Sequence, residues 1–493
     1  MTERALFDRA GRVDFPEWQN QVERAGFCSH PVRIAGSAAA VDVSSGEVRA
    51  ETSTRDAPDG TLLVACGDRR ASVCPSCAET YRRDMWHLVN AGLSGRVEPA
   101  AAESSGVSTA VPESVVEHPT MFVTLTAPSF GAVHTAHADG GRCRPRSGAR
   151  RCPHGRLLGC GLVHDPDHPV VGTPLCTGCY DYTGAVLWNS SVSELWRRTR
   201  IGIDRALAPL VSDALGHRVT VAGLRDFLRV SYVKVAEFQK RGLVHLHVVV
   251  RLDGVDPDGS SAVVPPPSWA SVGLLRSALD RVVPTVSVAL PSPDGQLRTS
   301  AWGPQYDVSD ISNGPSSDPR RTAAYVAKYA TKTASDIAGA GAVLARRIRR
   351  LRRGWLRRAV GAHLARMVET AWNLGGRSDL AHLRLRQWAH TLGFRGHFAT
   401  KSRRYSVTMG ALRAVRRSWR AQQRQSSGET DVWGAGGEES TVIVGQWRYV
   451  GRGYAKSVDA MLVESMKRDH EETIIEYRDQ VAREKQLAAD VDF

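Results

Sequence analysis

The chain has 493 residues, of which 42% are hydrophobic, so it should fold but is too long for a single core. Lys and Arg number 65 against 51 Asp and Glu, which gives a net charge of +14. This balance favours an anionic polymer as partner, although a basic protein without one has the same charge. The absence of any apolar run of roughly eighteen residues argues against a membrane span. Residues 1–9 are charged and lack an apolar signal stretch, which indicates a cytoplasmic protein.

The N-terminal part of the chain is rich in cysteine and poor in periodic patterns. Residues 1–90 contain four of the nine cysteines, and residues 91–118 have the Ala, Ser, Val and Gly content of a linker. Residues 122–126 predict a strand. Residues 143–182 hold the other five cysteines with little periodicity, so a metal could organise this segment.

The patterns that follow predict helices around one hairpin. A helix is expected over residues 185–208, with Pro209 as its stop. Strands over 227–237 and 244–252 flank a Lys-Arg-Gly turn. Residues 253–318 are expected to include long loops. Helices are expected over 321–333, 342–372, 378–425 with a Gly-Phe-Arg-Gly break at 393–396, and 456–489, and a strand pair is expected over 441–454.

The predicted hairpin carries a candidate metal site. Side chains alternate faces along a strand, so His245 and His247 project to one side, and Glu237 on the preceding strand can face the same side. Two imidazoles and a carboxylate, with coordination positions left open, suit Mn²⁺ or Mg²⁺. The alternative is a histidine pair that is merely exposed on a half-buried strand.

The predicted helix over 321–333 carries two candidate nucleophiles. Tyr325 and Tyr329 are four residues apart, so they share one helix face about 6 Å apart along the axis. Lys328 and Lys332 each follow a tyrosine by three residues, and a nearby ammonium favours the phenolate. Attack on a metal-polarised phosphodiester would release a 3′-OH and leave a 5′-phosphotyrosine. The alternative is a helix with two aromatic residues packed in a core.

The predicted strand, the metal ligands and the tyrosine pair occur in an order that resembles the rolling-circle replication initiators of the HUH endonuclease superfamily. The run Tyr325-Val-Ala-Lys-Tyr329-x-x-Lys332 resembles the paired-tyrosine motif of initiators from small single-stranded-DNA coliphages. In that group one tyrosine begins a round and the other ends it. Many plasmid initiators keep only the tyrosine that corresponds to Tyr329, so the resemblance implies Tyr329 as the first nucleophile and Tyr325 as the second.

The chain more specifically resembles replication initiators of actinomycete plasmids and integrative conjugative elements. Residues 66–77, 176–182 and 388–405 carry this resemblance, which spans most of residues 28–415. It implies an origin-specific nickase and strand transferase of the bacterial cytoplasm. The implied partners are double- and single-stranded origin DNA, a host helicase and a host DNA polymerase, with no membrane. It does not fix the oligomeric state.

The cysteines predict about two structural zinc ions, because closed zinc sites take four ligands. The first expected set is Cys28, Cys66, Cys74 and Cys77. The second expected set is Cys143, Cys152, Cys176 and Cys179, with Cys160, His154 and His164 as alternative ligands. Both sets contain a Cys-x-x-Cys knuckle, which is typical of zinc sites. Free buried thiols are the alternative.

The C-terminal half contains dense basic runs that predict a surface for duplex phosphates. The expected DNA contacts are Arg346, Arg347, Arg349, Arg350, Arg352, Arg353, Lys401, Arg403 and Arg404. A solvated helix face is the alternative, because charge runs usually have that role.

Together these features predict an α+β HUH endonuclease fold, in which a central antiparallel sheet with flanking helices is elaborated by zinc-binding segments. The expected regions are a zinc-binding segment over 1–90, a linker over 91–118, a nickase domain over 119–340 with a zinc-binding insertion at 143–182, and a basic, mainly helical region over 341–493. A conjugative relaxase and a single-strand transposase share this chemistry. A zinc-dependent DNA-binding regulator without enzymatic activity is the third alternative.

Overall fold

The computed structural model of the protein describes residues 2–95, 111–144, 151–259, 262–311, 318–337, 344–426 and 441–491. The helices are α1 (Thr2–Ala10), α2 (Phe15–Arg24), α3 (Pro75–Ser94), α4 (Tyr182–Leu215), α5 (Val221–Leu224), α6 (Val272–Val282), α7 (Pro319–Ala330), α8 (Arg353–Leu374), α9 (Met409–Ser426) and α10 (Ser457–Val491). The strands are β1 (Val32–Asp42), β2 (Val48–Ser53), β3 (Leu62–Val64), β4 (Thr120–Leu125), β5 (Leu228–Phe238), β6 (Val244–Gly254), β7 (Ser287–Pro291), β8 (Leu297–Ala301), β9 (Asp307–Asp310), β10 (Ala399–Lys401) and β11 (Thr441–Arg452). Short 3₁₀ helices span Pro58–Gly60, Glu113–Glu117, Val283–Thr285, Ala334–Asp336, Ala381–Leu383 and Ala389–Thr391.

The fold is α+β with antiparallel sheets, as expected, and its chain divides into two compact units. The terminal unit combines Met1–Tyr81 with Arg413–Phe493, and the central unit is Arg82–Leu412. The region expected over 341–493 therefore contains a unit boundary, and part of the expected linker, residues 96–110, lies outside the described residues. In the described parts of the chain, no helix is both long enough and apolar enough to cross a bilayer.

The terminal unit is built on a sheet of order β11-β1-β2, with β3 also paired to β1. β11 pairs with β1 along its length, which joins the two ends of the chain in one structure. A small apolar core forms around the buried side chains of Trp18, Val22 and Val463. The buried Arg9 guanidinium lies 4.6 Å above the Trp18 ring and forms an ion pair with Asp59 at the edge of this core.

The central unit is built on a five-stranded sheet of order β10-β5-β6-β4-β9. β5 and β6 form the predicted hairpin, in which Glu237 pairs directly with His245. Leu246, Val248 and Val250 of β6 are fully buried in the core shared with α4, as the alternation predicts. The opposite face of the same strand is therefore left for the histidines.

A buried asparagine of α4 fixes the turn of this hairpin. The side-chain amide of Asn189 donates to the carbonyl oxygens of Gly242 and Leu392 at 2.9 and 3.0 Å. Its carbonyl oxygen accepts from the Val244 backbone N–H at 3.1 Å. Because Asn189 is fully buried and its polar atoms are bonded, it ties the turn rigidly to the core helix.

A buried ion network lies at the far end of the same strands. Asp253 accepts from Nε of Arg251 at 2.6 Å, and Nδ1 of His118 lies 2.8 Å from the same carboxylate. Arg251 also donates to the carbonyl oxygens of Gly92 and Tyr405. The guanidinium thus ties the end of α3 and the segment after β10 to the sheet.

The hairpin, the strand at β4 and the tyrosine helix confirm the sequence prediction to within a few residues. The predicted stop at Pro209 is wrong: α4 continues to Leu215, and Gly216 ends it in the left-handed region. Leu207 and Val211 are fully buried on either side of the proline. Tertiary packing therefore outweighs the hydrogen bond that Pro209 cannot form.

Other segments also differ from prediction. Residues 344–352 are irregular and not helical, and the helix α8 begins only at Arg353. Between 378 and 408 the chain forms two 3₁₀ turns and β10 where a helix broken at residues 393–396 is expected, and residues 253–318, expected to include long loops, also contain α6 and three strands. The expected late strand pair is a single strand, β11, whose partner β1 lies about 400 positions earlier in the chain.

Candidate active site

The three predicted metal ligands converge on the face of the sheet opposite α4. Nε2 of His245 and Nε2 of His247 lie 2.9 and 3.2 Å from the same carboxylate oxygen of Glu237. An octahedral site with bonds near 2.1 Å has ligand–ligand edges of about 3.0 Å. The separations therefore match three ligands of one Mg²⁺- or Mn²⁺-sized ion.

Neighbouring side chains orient both imidazoles. Oγ1 of Thr124 on β4 lies 3.4 Å from Nδ1 of His247, and the Gln239 amide lies 3.4 Å from Nδ1 of His245. Such partners fix which ring nitrogen faces a metal. Sequence reasoning gave no role to Thr124 or Gln239. The register of β4 against β6, which pairs Thr124 with His247, was the missing information.

The environment keeps the carboxylate ionised and the buried imidazole neutral. Burial alone would raise the pKa of Glu237, but hydrogen bonds from His245 and His247 outweigh it and lower that pKa to about 2. Burial lowers the pKa of His247 below its usual value, against the opposing pull of Glu237. An ionised carboxylate and neutral imidazoles are the forms that bind a cation.

Both tyrosines lie directly against the metal-binding face. The Tyr329 ring stacks on His247 with 4.8 Å between centroids, and the Tyr325 ring meets the same imidazole edge-on at 5.1 Å. The two phenol rings are 4.8 Å apart. Phe122 of β4 contacts both His247 and Tyr325. The aromatic cluster is not sealed, because Tyr325 is 44% exposed.

The two lysines differ in their contacts with this cluster. Nζ of Lys332 lies 4.8 Å from the Tyr329 ring centroid and 3.3 Å from a carboxylate oxygen of Glu237. Nζ of Lys328 is farther away, at 5.9 Å. The expected lowering of the phenol pKa is wrong: burial raises the pKa of Tyr329, and the hydrogen bond with Tyr325 and the charge of Glu237 raise it further. Lys332 is instead the cation that balances Glu237.

A cavity of about 840 Å³ opens beside Glu237, His245 and Lys332. Residues 358–364 of α8 form part of its wall, and four residues between Asp167 and Thr173 form another part. The volume lies in the range of roughly 300–1,000 Å³ that is typical of ligand sites. The candidate metal ligands therefore face a space that a substrate can enter.

The first cysteine set lies together in the terminal unit, as predicted. Sγ of Cys28 is 3.7 Å from Sγ of Cys74 and 3.6 Å from Sγ of Cys77, and Cys66 is 3.7 Å from Cys77. Disulfide sulfurs are about 2.05 Å apart, whereas sulfurs around one zinc are separated by about 3.8 Å. The four thiols are therefore arranged for a metal and not for disulfides.

The second cysteine-rich segment forms two groups where the sequence predicted one. The first group is Cys152, His154, Cys176 and Cys179. The second group is His134, Cys143, Cys160 and His164. In each group the four ligand atoms lie within 4.8 Å of one another. The predicted set is corrected accordingly: His154 takes the place of Cys143, which lies with His134 in a group that sequence reasoning missed.

The predicted DNA-contacting arginines of the central unit are exposed. They are Arg346, Arg347, Arg349, Arg350, Arg352 and Arg353. The apolar residues between them face inward, with Leu344 buried and Ile348 and Leu351 packed against the core. Trp355 is an exception, since it is 51% exposed beside the arginines. None of these six guanidinium groups forms an ion pair with another described residue, so their charge faces solvent.

The basic residues after β10 have different environments. Nζ of Lys401 donates to three backbone carbonyls, those of Ser402, Arg403 and Ser406, and burial lowers its pKa to about 8. The Lys401 ammonium therefore donates within the fold. The sequence predicts instead an exposed side chain that binds a DNA phosphate. Arg403 and Arg404 line a separate cavity of about 360 Å³ that also contains other arginines.

Comparisons with known proteins give matches over almost the whole length of the chain. The model of a family described as "Replication initiator protein, pSAM2" (RepSA) matches residues 14–468. A replication initiator protein of Streptomyces ambofaciens is 39% identical over 485 residues, which cover 96% of this chain and 95% of the relative. No solved structure matches the chain. The resemblance to replication initiator proteins that the sequence indicates is thereby confirmed.

Proposed function

The chain belongs to the family of replication initiator proteins that includes the pSAM2 initiator, and we propose that it initiates by cutting one strand of origin DNA through a covalent tyrosine intermediate. The proposed activity is that of an HUH-type nickase and strand transferase. The observation that carries it is the contact of two phenol rings with an imidazole of the metal-binding set.

The donor set fits a hard divalent cation. Glu237, His245 and His247 supply one oxygen and two nitrogens from one side, which leaves the other coordination positions for water and phosphate oxygens. Mn²⁺ or Mg²⁺ bound there would polarise a scissile phosphate and favour the phenolate of a neighbouring tyrosine. The antiparallel sheet that carries these ligands, with α7 packed beside it, is the arrangement expected of the HUH fold.

Tyr329 is the proposed first nucleophile, because its ring stacks on His247. Its phenol oxygen forms a bond to the phosphorus as the bond from phosphorus to the 3′ oxygen breaks. The phenol proton is lost and the departing oxygen gains one, so the products are a 5′-phosphotyrosine and a free 3′-OH. Lys332, whose ammonium lies between the Tyr329 ring and Glu237, would contact the phosphate.

Tyr325 is the proposed second nucleophile. It lies on the same face of α7, its ring is 4.8 Å from that of Tyr329, and it is the more exposed of the two. After one round it would attack the regenerated junction, and the first phosphotyrosine would be resealed to the freed 3′-OH. Between these steps a host polymerase would extend the 3′-OH while a host helicase unwinds the duplex.

The remaining features would support DNA binding. The exposed arginines between 346 and 353 carry charge suited to duplex phosphates of the origin. The sets containing Cys28 and Cys152 have the four sulfur and nitrogen donors of structural zinc sites. Two of the predicted DNA contacts, Arg403 and Arg404, line a cavity large enough for an anionic group.

Cleavage of a single-stranded origin oligonucleotide in the presence of Mn²⁺ tests this function. The full-length chain should cleave it and retain one end, and a chelator should stop the reaction. A variant that combines Tyr325→Phe with Tyr329→Phe should be inactive, whereas Tyr306→Phe, a tyrosine outside the cluster, should cleave normally. Persistent cleavage by the double variant would contradict the proposal.

A further inference from the structure

The group of His134, Cys143, Cys160 and His164 has the geometry of a metal site. Sγ of Cys143 lies 3.9 Å from Nδ1 of His134, and Sγ of Cys160 lies 3.4 Å from Nε2 of His164. A tetrahedral zinc with bonds of about 2.3 Å to sulfur and 2.05 Å to nitrogen separates those ligands by roughly 3.6 Å. Two thiols and two imidazoles at these separations form a closed ligand set for Zn²⁺.

The backbone around this group orients its ligands. The Thr135 backbone N–H donates to Sγ of Cys143 at 3.3 Å, the kind of contact that stabilises a thiolate ligand. The Cys143 N–H donates to the Leu162 carbonyl at 2.8 Å, and the Cys160 N–H donates to the Arg144 carbonyl at 3.3 Å. The two cysteines are thus brought together by paired backbone segments.

Apolar packing does not explain why the described residues between 131 and 179 hold a defined structure. Of these residues, the central core includes only Val133, and only as a partly buried neighbour. Leu157, Leu162 and Val163 are exposed at 48–66%. A segment with so little buried apolar surface needs another source of stability, and a bound metal is a usual one.

The ligands of this group connect to the wall of the catalytic cleft. His134 exchanges two backbone hydrogen bonds of 2.9 Å with Gly172 and Thr173, and Thr173 lines the cavity beside Glu237. Gly172, at a φ of +87°, approaches the Lys240 backbone so closely that a Cβ atom would lie 2.5 Å from its carbonyl carbon. The wall therefore packs directly on the turn between the two ligand-bearing strands.

A second connection runs through the side chain of Lys240. Its ammonium donates to the Pro166 carbonyl oxygen and lies 3.3 Å from the Asp167 carboxylate. Both partners follow His164 closely in the chain. The segment from His164 to Thr173 is thus held at three places. Its start carries the candidate ligand His164, its end is hydrogen-bonded to His134, and its side contacts the hairpin turn.

We infer that His134, Cys143, Cys160 and His164 bind a structural zinc ion, which holds residues 165–173 as a wall of the cleft beside Glu237 and His245. This zinc site is additional to the sets of Cys28 and Cys152. The role as a cleft wall rests on the proposed nickase function, whereas the metal site itself does not.

The zinc content of the full-length chain tests the inference, and native mass spectrometry can count the bound ions. In a background with His245→Ala and His247→Ala, which removes the catalytic ligands, we expect about three zinc ions, one for each closed four-ligand site. Addition of His134→Ala should remove one of them. His137→Ala, a histidine three residues away outside the ligand set, is the matched control and should keep all of them.

A second variant and a second readout protect the test against misfolding. Cys143→Ser combined with Cys160→Ser should lose the same single ion. Hydrogen exchange should accelerate by roughly tenfold or more in peptides covering 131–144 and 160–175, where these hydrogen bonds lie, and remain unchanged around Cys74. Full zinc content in either variant, or a parent chain with only about two ions, would overturn the inference. If the double-alanine background binds all three ions but the unaltered chain cleaves no DNA, the nickase proposal alone would be contradicted.

Discussion

The phenol ring of Tyr329 stacks on the imidazole of His247 with 4.8 Å between ring centroids and an interplanar angle of 23°. This contact joins a residue of α7 to a residue of β6 about 80 positions earlier in the chain. In the proposed chemistry, this contact places the Tyr329 phenol beside a phosphate held by a cation at Glu237, His245 and His247. The proposed chemistry depends on this relationship.

The two tyrosines should differ in the step that they affect. Tyr329→Phe is expected to reduce the first cleavage of a single-stranded origin by about 10³-fold or more, because loss of a nucleophile removes the covalent route. Tyr325→Phe should leave the first cleavage largely intact and block the terminating transfer. Single-turnover cleavage and strand-joining assays measure the two steps separately. Equal loss of both steps in Tyr325→Phe would contradict the assigned order.

The contact between Thr124 and His247 should affect metal affinity. Thr124→Val keeps the shape of the side chain but removes the hydroxyl 3.4 Å from Nδ1 of His247. We expect Mn²⁺ binding, measured by calorimetry, to weaken by about tenfold, the lower end of the effect of such outer partners. Thr299→Val, at an exposed strand position of β8, is the control. An unchanged Mn²⁺ affinity in Thr124→Val would mean that the hydroxyl does not orient the imidazole.

The buried Asp253 should make stability depend on pH. Burial alone would raise the pKa of Asp253, but the hydrogen bond from His118 and the charge of Arg251 outweigh it, so the pKa lies below its usual value. A group with a depressed folded-state pKa contributes stability above its unfolded pKa of about 4, and this stability is lost as pH falls through the folded value.

Asp253→Asn should therefore cost about 3–5 kcal/mol of unfolding free energy at neutral pH, because it leaves Arg251 buried without its partner charge. The difference from the unaltered chain should narrow as the pH falls below about 4. Denaturant-induced unfolding, monitored by hydrogen exchange of amides in the central unit, measures the free-energy difference at neutral pH and at acid pH. Asp213→Asn, at an exposed position of α4, controls for the loss of a carboxylate. A difference that stays constant with pH would show that the carboxylate charge is not responsible.

The exposed arginines should determine the salt dependence of duplex binding. Reversal of Arg349 and Arg350 to glutamate should weaken binding of origin duplex and reduce the slope of log K against log salt by about 2, since each phosphate contact contributes about 0.9. Reversal of Arg478 and Arg483 on α10 gives the same change in net charge and is the matched control. If both pairs changed the slope equally, net charge and not this segment would account for it.

The grouping of the candidate catalytic residues was predictable because their patterns are local. His245 and His247 share a face through the two-residue period of β6, and Tyr325 and Tyr329 share one through the four-residue spacing on α7. The hairpin brings Glu237 opposite His245 within a few residues of turn. Short-range geometry thus fixed which side chains point together, although the contact between α7 and the sheet needed the structure.

Features that depend on long-range pairing were not predictable. His134 is paired with Gly172 and Thr173, Cys143 is paired with Leu162, and no spacing rule contains these pairings. β11 joins β1 across nearly the whole chain. Lys401 is basic and surrounded by arginines in sequence, but its ammonium faces backbone carbonyls in the fold. The partner of β11 is distant in sequence and the carbonyl partners of Lys401 lie within five residues of it, but residue type alone indicates neither environment.

Mass spectrometry of the peptide that stays joined to DNA after cleavage tests the central claim most directly. The full-length chain would be incubated with Mn²⁺ and a single-stranded origin oligonucleotide, then digested with protease and nuclease. The account predicts a 5′-phosphotyrosine on Tyr329, in a peptide that also contains Tyr325. An adduct on a residue outside α7, attachment through a 3′ end, or cleavage without any covalent adduct would contradict it.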